Sequence, residues 1–465
     1  MEEKLRQKTK TLTQYFAGFL VSMTGFAGGS VLTWTSPGLL HITKSQEDQP
    51  IKPLGKSPGF LVSTFEEALI GAMPMLGALI FAIPSGKCVN RFGRKPMLTF
   101  INSFYFLNYL LIAYASNAAM VIIGRFCGGL ALGANGVVVP MYIAEIAEPH
   151  LKGTLGSFFS LCITIGIFYT NLIGIYTDWF WLAFWIDAVI FIITIATLFL
   201  PESPRYLIIK EKISKARKAL MFYRGTEEVV AKELISMQKQ LSETEDCVGF
   251  KELFTRKCYR KRLIASGGVL IYQQFCGINI LAFYFLPLVE ASGKVIGLAT
   301  VVIFINVLNT ILAIGISLII HKQKRKNCLL LSGLMMFVGI IGTGAFFNFQ
   351  DENVNFPGLF LFPLLSGILV IGGFTIGLAP ISWMLLIELF TPEIRAIASG
   401  FAVVSCWTSG LVVTFTAPYF FYFLGRTYTF YFYGLINIMG ILFIWFFVPE
   451  TKLSSNDAIN TQSEA

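Results

Sequence analysis

Stretches of about 20 almost wholly apolar residues recur along this chain, each long enough to cross a hydrocarbon core of about 30 Å as a helix rising about 1.5 Å per residue. Segments such as 436–448 carry apolar residues on every side, without the alternation expected of barrel strands of about 10 residues. Helices also satisfy every backbone hydrogen bond within one segment, as lipid requires. The pattern predicts an all-α polytopic membrane protein of twelve transmembrane helices, at about 12–34, 64–86, 97–115, 119–143, 153–176, 180–200, 262–287, 295–320, 328–349, 357–389, 396–424 and 428–448. Composition agrees: of 465 residues 55% are hydrophobic and 14% charged, against about a quarter charged in a soluble domain, and mean hydropathy is +0.68. Span 1 lacks the short apolar core and small-residue cleavage site of a secretory signal, so it is expected to be retained.

The net charge of +9 sorts by loop, which argues against a nucleic-acid surface. Lys4, Arg6, Lys8 and Lys10 precede span 1; Lys87, Arg91, Arg94 and Lys95 follow span 2; Lys322, Lys324, Arg325 and Lys326 follow span 8; fifteen Lys or Arg lie in 201–262. Thirty of the thirty-six basic residues fall on one side, five on the other, and Arg125 lies inside a span. The excess of Lys and Arg in cytoplasmic loops then places both termini and the central loop in the cytoplasm, in what is expected to be the plasma membrane. The eight cysteines are scattered without a CxxC pair or a histidine at metal-ligand spacing, so they read as small buried apolar residues, and no metal or cofactor is expected.

An internal repeat divides the chain. Glu145 and Lys152 close span 4 as Glu388 and Arg395 close span 10, each pair seven apart, at an offset of 243. The turn NRFGRK at 90–95 recurs degraded as HKQKRK at 321–326, and PESPR at 201–205 recurs as PETK at 449–452. This predicts an N-terminal six-helix half at 1–200, a cytoplasmic linker of short amphipathic helices at 201–261, a C-terminal six-helix half at 262–449 and a cytoplasmic tail at 450–465. Parallel six-span repeats are expected to place a substrate site near the midplane between the halves, with access alternating as they rock.

These residues resemble the sugar porter family of the major facilitator superfamily, and most closely its arthropod trehalose-transporter-like branch. The resemblance covers nearly the whole chain and rests on seven motifs in order: GKCVNRFGRK (86–95), GRF (124–126), PMYIAEIAEPHLKG (140–153), PESPR (201–205), QQFCGIN (273–279), APISWMLLIELFTPEIR (379–395) and PETK (449–452). The TSP triplet at 35–37 and the IAEIAEPHLKGTLGSFF run point to the arthropod branch.

A neutral, hydroxyl-rich sugar calls for amides that donate and accept together, with aromatic faces for its C–H surface. The resemblance implies that Gln273, Gln274 and Asn279 face the central cavity, that Asn309 contacts the sugar, that Trp383 stacks on it and that Trp407 lines the cavity. Asn306 is a weaker candidate on the same face of span 8. The alternative for such amides is bonding between neighbouring helices. On a straight helix Gln274 and Asn279 stand about 140° apart at about 100° per residue, so a break near Gly277 is predicted. Ser160 stands where the family usually has a glutamine, Thr375 where it often has an acid, and Cys406 where it often has asparagine, so a glucose-type preference does not carry over.

The resemblance also implies cytoplasmic ion pairs that close the inner side: Glu145 with Arg91, Arg94 and Lys152, and Glu388 with Arg325 and Arg395. Loss of the turn glycine (Lys324) and the presence of His321 put the second set in question. Arg125 is expected to bond carbonyls or polar groups, while Asp187 stands open between a cavity residue and a packing contact. Span 1 carries no carboxylate, whereas proton-coupled relatives typically have one there. The expected function is facilitative transport of a neutral sugar, a hexose or trehalose, by alternating access. A proton-coupled symporter and a non-transporting sugar sensor are the alternatives. No Ser/His/Asp set or paired cavity carboxylates speak for an enzyme. The expected partners are a small sugar and membrane lipid, with no nucleic acid and no obligate protein partner.

Overall fold

The computed structural model describes residues 11–43, 60–148, 151–242, 255–281, 298–320, 323–352, 354, 359, 361–390 and 392–451, with the side chains of 40, 43, 153, 240–242, 258, 298–299, 318, 386–387, 392–397 and 399 outside the description. Among the described residues eleven helices are long and apolar enough to cross a membrane. The last, Gly400–Phe447, has 48 residues, about twice what a bilayer needs. At Gly425 the backbone turns to φ 72°, ψ 177° and divides it into spans 11 and 12. Among the described residues the structure therefore holds twelve spans, as the apolar pattern predicts.

Span 1 consists of three short helices, Thr11–Ser22, Thr24–Thr33 and Thr35–Thr43. Spans 2 to 6 are Thr64–Phe92, Arg94–Ala113, Ala118–Ile146, Lys152–Tyr176 and Trp179–Leu198. Span 7 runs from Lys257 to Phe275 and resumes over 278–281. Spans 8 and 9 are Leu298–Ile319 and Arg325–Asp351. Span 10 is assembled from Leu361–Gly373, a five-residue π-helical turn Phe374–Leu378, and Ala379–Glu388. The chain divides into two compact units, Met1–Cys247 and Val248–Ala465.

In the first unit small residues let spans meet backbone to backbone, the usual device where lipid offers no hydrophobic drive between helices. A Cβ on Gly129 would lie 2.4 Å from the Pro74 carbonyl oxygen, and one on Gly133 2.4 Å from that of Ala78, which fixes span 4 against span 2. Buried Arg125 donates to the carbonyls of Val31 (2.5 Å) and Ile70 (3.2 Å) and to the Thr35 hydroxyl (2.7 Å), tying spans 1, 2 and 4 as its motif predicts.

Three helices follow span 6: Pro204–Ile209, Ile213–Arg224 and Glu227–Ser242. They pack within the first unit, against the ends of spans 1 and 4, through polar groups. Buried Arg224 forms a two-pronged pair with Glu233 (2.7 and 2.7 Å) and donates to the Ile146 carbonyl at 2.9 Å. Gln14 bridges Glu148 (2.9 Å) and the Tyr223 carbonyl (3.3 Å).

Candidate functional site

In the second unit the predicted amides gather. Span 7 breaks where Gly277 takes φ 92°, a left-handed conformation that costs other residues about 1–2 kcal/mol. The carbonyl of Cys276, freed by the break, accepts from Asn437 Nδ2 of span 12 at 3.0 Å. The break swings Asn279 back over the preceding turn, where its Nδ2 donates to Gln274 Oε1 at 2.8 Å and to the Gln274 main-chain carbonyl at 3.3 Å. Side chains that a straight helix would hold apart are thus in contact, across the break predicted near Gly277.

Hydrogen bonds extend the cluster to spans 8, 10 and 11. Gln274 Nε2 donates to Cys406 Sγ at 3.2 Å. Buried Gln273 donates through Nε2 to the Leu378 carbonyl at 2.8 Å, while its Oε1 is buried without a hydrogen-bond partner among the described residues. Thr375 Oγ1, on the π turn, lies 2.6 Å from Asn309 Oδ1. Trp383 packs against the small apolar group Leu270, Ala402 and Cys406. Each of these groups is neutral. Trp407 is 9% exposed, and Asn306, also buried, donates to its own helix at Val302 (2.8 Å). Ser160 is half-buried in the first unit. There, buried Asn135 donates to the Thr24 carbonyl (3.0 Å) and to the Tyr105 hydroxyl (3.1 Å), a polar group of spans 1, 3 and 4 that the motifs did not single out.

The charged clusters are built twice on one plan. Arg94 grips Glu145 through Nε (2.8 Å) and Nη2 (2.6 Å), and Ser203 Oγ donates to the same carboxylate at 2.5 Å. Glu202 accepts from the backbone N–H groups of Arg94 (3.0 Å), Lys95 (3.2 Å) and Ser203 (2.8 Å). Burial pushes the Glu202 carboxyl above the usual carboxylate range, and those N–H groups and the Arg94 charge offset part of the rise. In the second unit Arg325 holds Glu388 through Nε (3.1 Å) and Nη2 (3.0 Å), and Thr451 donates to Glu388. Glu450 accepts from the backbone of Arg325 (2.9 Å) and Lys326 (3.2 Å), as Glu202 does in the first.

Two expectations change. Arg94 alone meets Glu145: the Arg91 guanidinium lies over the Phe92 ring at 5.5 Å, and Lys152 is exposed with no ion pair among the described residues. Arg325 meets Glu388 even though its turn lacks the glycine. Gly93 needs φ 105° and stands against Glu202, where a Cβ would lie 2.4 Å from Oε2; Lys324, with φ −69° and ψ 125°, needs no glycine. The side chain of Arg395, and His321, lie outside the described residues. Motif reading missed Glu202, Ser203, Glu450 and Thr451, although the repeated PES and PET carry them at matching places.

Over residues 10–462 the chain matches the family described as "Sugar (and other) transporter". It belongs to that sugar transporter family. Among relatives of this transporter, the facilitated trehalose transporter Tret1 of Apis mellifera ligustica is 30% identical over 470 residues, covering 98% of this chain and 89% of its own. Tret1 of Bombyx mori is 29% identical over 455 residues, covering 97% and 87%. Among solved structures, the xylose transporter XylE from E. coli in a partially occluded inward-open conformation superposes with TM-score 0.76 at 21% identity, covering 96% of this chain and 99% of that one. That likeness shows the major facilitator fold. The transporter is therefore a multi-pass membrane protein and not an enzyme.

Proposed function

We propose that this transporter carries a neutral sugar, a hexose or trehalose, passively across the plasma membrane by alternating access, with both termini in the cytoplasm. The observation that carries the reading is the amide cluster: Asn279 is folded back onto Gln274 at 2.8 Å, beside Cys406 and the Trp383 face. Amides without charge exchange hydrogen bonds with hydroxyls, and an indole offers an apolar face to a sugar ring. Gln273, Gln274, Asn279, Asn309, Trp383 and Trp407 form the sugar site in this reading. The Arg94–Glu145 and Arg325–Glu388 pairs set the balance between inward- and outward-open states, and Arg91, Lys152 and Arg395 add charge around them. The passive reading is supported by a first span without a carboxylate and by the transporter's likeness to relatives named as facilitated.

The test is saturable uptake of radiolabelled D-glucose and of trehalose into liposomes holding the purified protein. Gln274→Ala is expected to lower uptake at sub-saturating sugar about tenfold or more, since a truncated amide leaves its partners unpaired. Saturable uptake of neither sugar, or full uptake by Gln274→Ala, would remove the reading.

A further inference from the structure

The hydrogen bonds within the second unit fix which end of each site amide is free. A main-chain carbonyl accepts and never donates, so an amide end that faces one must be its NH2. Asn279 faces the Gln274 carbonyl with Nδ2, which leaves Asn279 Oδ1 as the free end among the described residues. Gln274 must then turn Oε1 to that NH2 and Nε2 to Cys406 Sγ, as observed. Gln273 faces the Leu378 carbonyl with Nε2 and keeps Oε1 unpartnered among those residues. Asn309 has no such carbonyl; it has Thr375. The 2.6 Å separation of Thr375 Oγ1 and Asn309 Oδ1 falls within the range of O–H···O bonds, about 2.5–3.0 Å, and below that of N–H···O bonds, about 2.7–3.2 Å. The hydroxyl therefore donates, the Asn309 carbonyl accepts, and the Asn309 NH2 is the free end.

Thr375 reaches Asn309 from the π turn. Ala379 N–H bonds back to the Phe374 carbonyl, five residues earlier, which marks the widened turn. Such turns recur at functional positions, because one extra residue per turn re-aims the side chains around it. The turn is held from behind: Gly377 packs so closely on span 9 that a Cβ there would lie 2.5 Å from the Cys328 carbonyl oxygen.

We propose that Thr375 is a positioning residue for substrate selection: it pins the Asn309 amide so that an N–H group, and not a carbonyl, meets the sugar. The site then offers an ordered set of groups, acceptors at Gln273 and Asn279 and a donor at Asn309, matched to one arrangement of hydroxyls. This role rests on the sugar-transport reading above. Without the hydroxyl, the Asn309 amide turns freely and presents its wrong end part of the time.

The experiment compares Thr375→Val, which keeps the shape and loses the donor, with Thr375→Ser, which keeps the donor. Both are measured in liposomes for D-glucose and trehalose uptake, with protein incorporation matched. For a sugar that the wild-type protein moves, Thr375→Val is expected to raise KM about fivefold, the worth of one oriented hydrogen bond, with Vmax within about twofold. Thr375→Ser is expected to restore the wild-type KM. Asn309→Ala is expected to raise KM in the wild-type background and to add little in the Thr375→Val background, as coupled neighbours do. Equal KM for Val and Ser, or a loss confined to Vmax, would overturn the positioning role while the transport reading stands. Wild-type protein that moves neither sugar would remove both.

Discussion

The residues whose replacement tests the ion-pair clusters most directly are Arg94 and Arg325, because their surroundings differ while their chemistry is shared. The Arg94 and Glu145 side chains are 4% and 7% exposed, those of Arg325 and Glu388 8% and 27%. Removing one member of a buried pair leaves the other charge without its partner, at a cost of about 3–5 kcal/mol; where water still reaches the survivor the loss is smaller. Arg94→Ala is therefore expected to lower the apparent unfolding midpoint in detergent by clearly more than Arg325→Ala, read by intrinsic tryptophan fluorescence. An equal loss, or the reverse order, would show that burial does not set the strength of these pairs. That Arg94 stands with Glu145, and Arg325 with Glu388, was implied by the family resemblance; the seven-residue spacing showed only that the two halves repeat. Their burial was not, because the carboxylates that cap the neighbouring backbone, Glu202 and Glu450, come from motifs distant in sequence.

At the scale of elements, the break in span 7 joins backbone geometry to the site. Gly277 combines φ 92° with a neighbour, Ile340 Cδ1, 2.8 Å from where a Cβ would stand. Gly277→Ala therefore adds a conformational cost of about 1–2 kcal/mol and a displaced side chain, and it moves Asn279 relative to Gln274. The expected outcome is a lower unfolding midpoint together with a raised KM. Gly315→Ala in span 8, where a Cβ would meet nothing within 4 Å, is expected to leave stability unchanged or slightly improved. If the two substitutions behave alike, the break does not organise the site. This break was legible because the family resemblance turns Gln274 and Asn279 to one cavity, and at their angular spacing they could meet only if the helix gave way. The π turn in span 10 was not, for Phe374–Leu378 contains no residue type that marks one; the structure adds the close packing of Gly377 on span 9. The division at Gly425 could be read only from length, two apolar blocks being too long for one bilayer.

At the scale of the whole molecule the question is whether transport is driven. Each unit repeats the same charged cluster, yet the ionisable groups within the spans are not repeated. Arg125 is held by two carbonyls and a hydroxyl, and the described part of span 1 provides no acid for it. Asp187 in span 6 is 8% exposed, and its Oδ1 has no hydrogen-bond partner among the described residues. On the passive reading proposed above, no proton or other ion flux drives the sugar, and the carrier equalises its substrate across the membrane. The internal sugar concentration is therefore expected to rise to the external value and stop there, and a protonophore is expected to change neither the rate nor the end point. Accumulation above the external concentration, abolished by the protonophore, would overturn the passive reading. Asp187→Asn then decides the carrier of the proton: if accumulation is lost while equilibration persists, the buried carboxylate of span 6 couples the two fluxes.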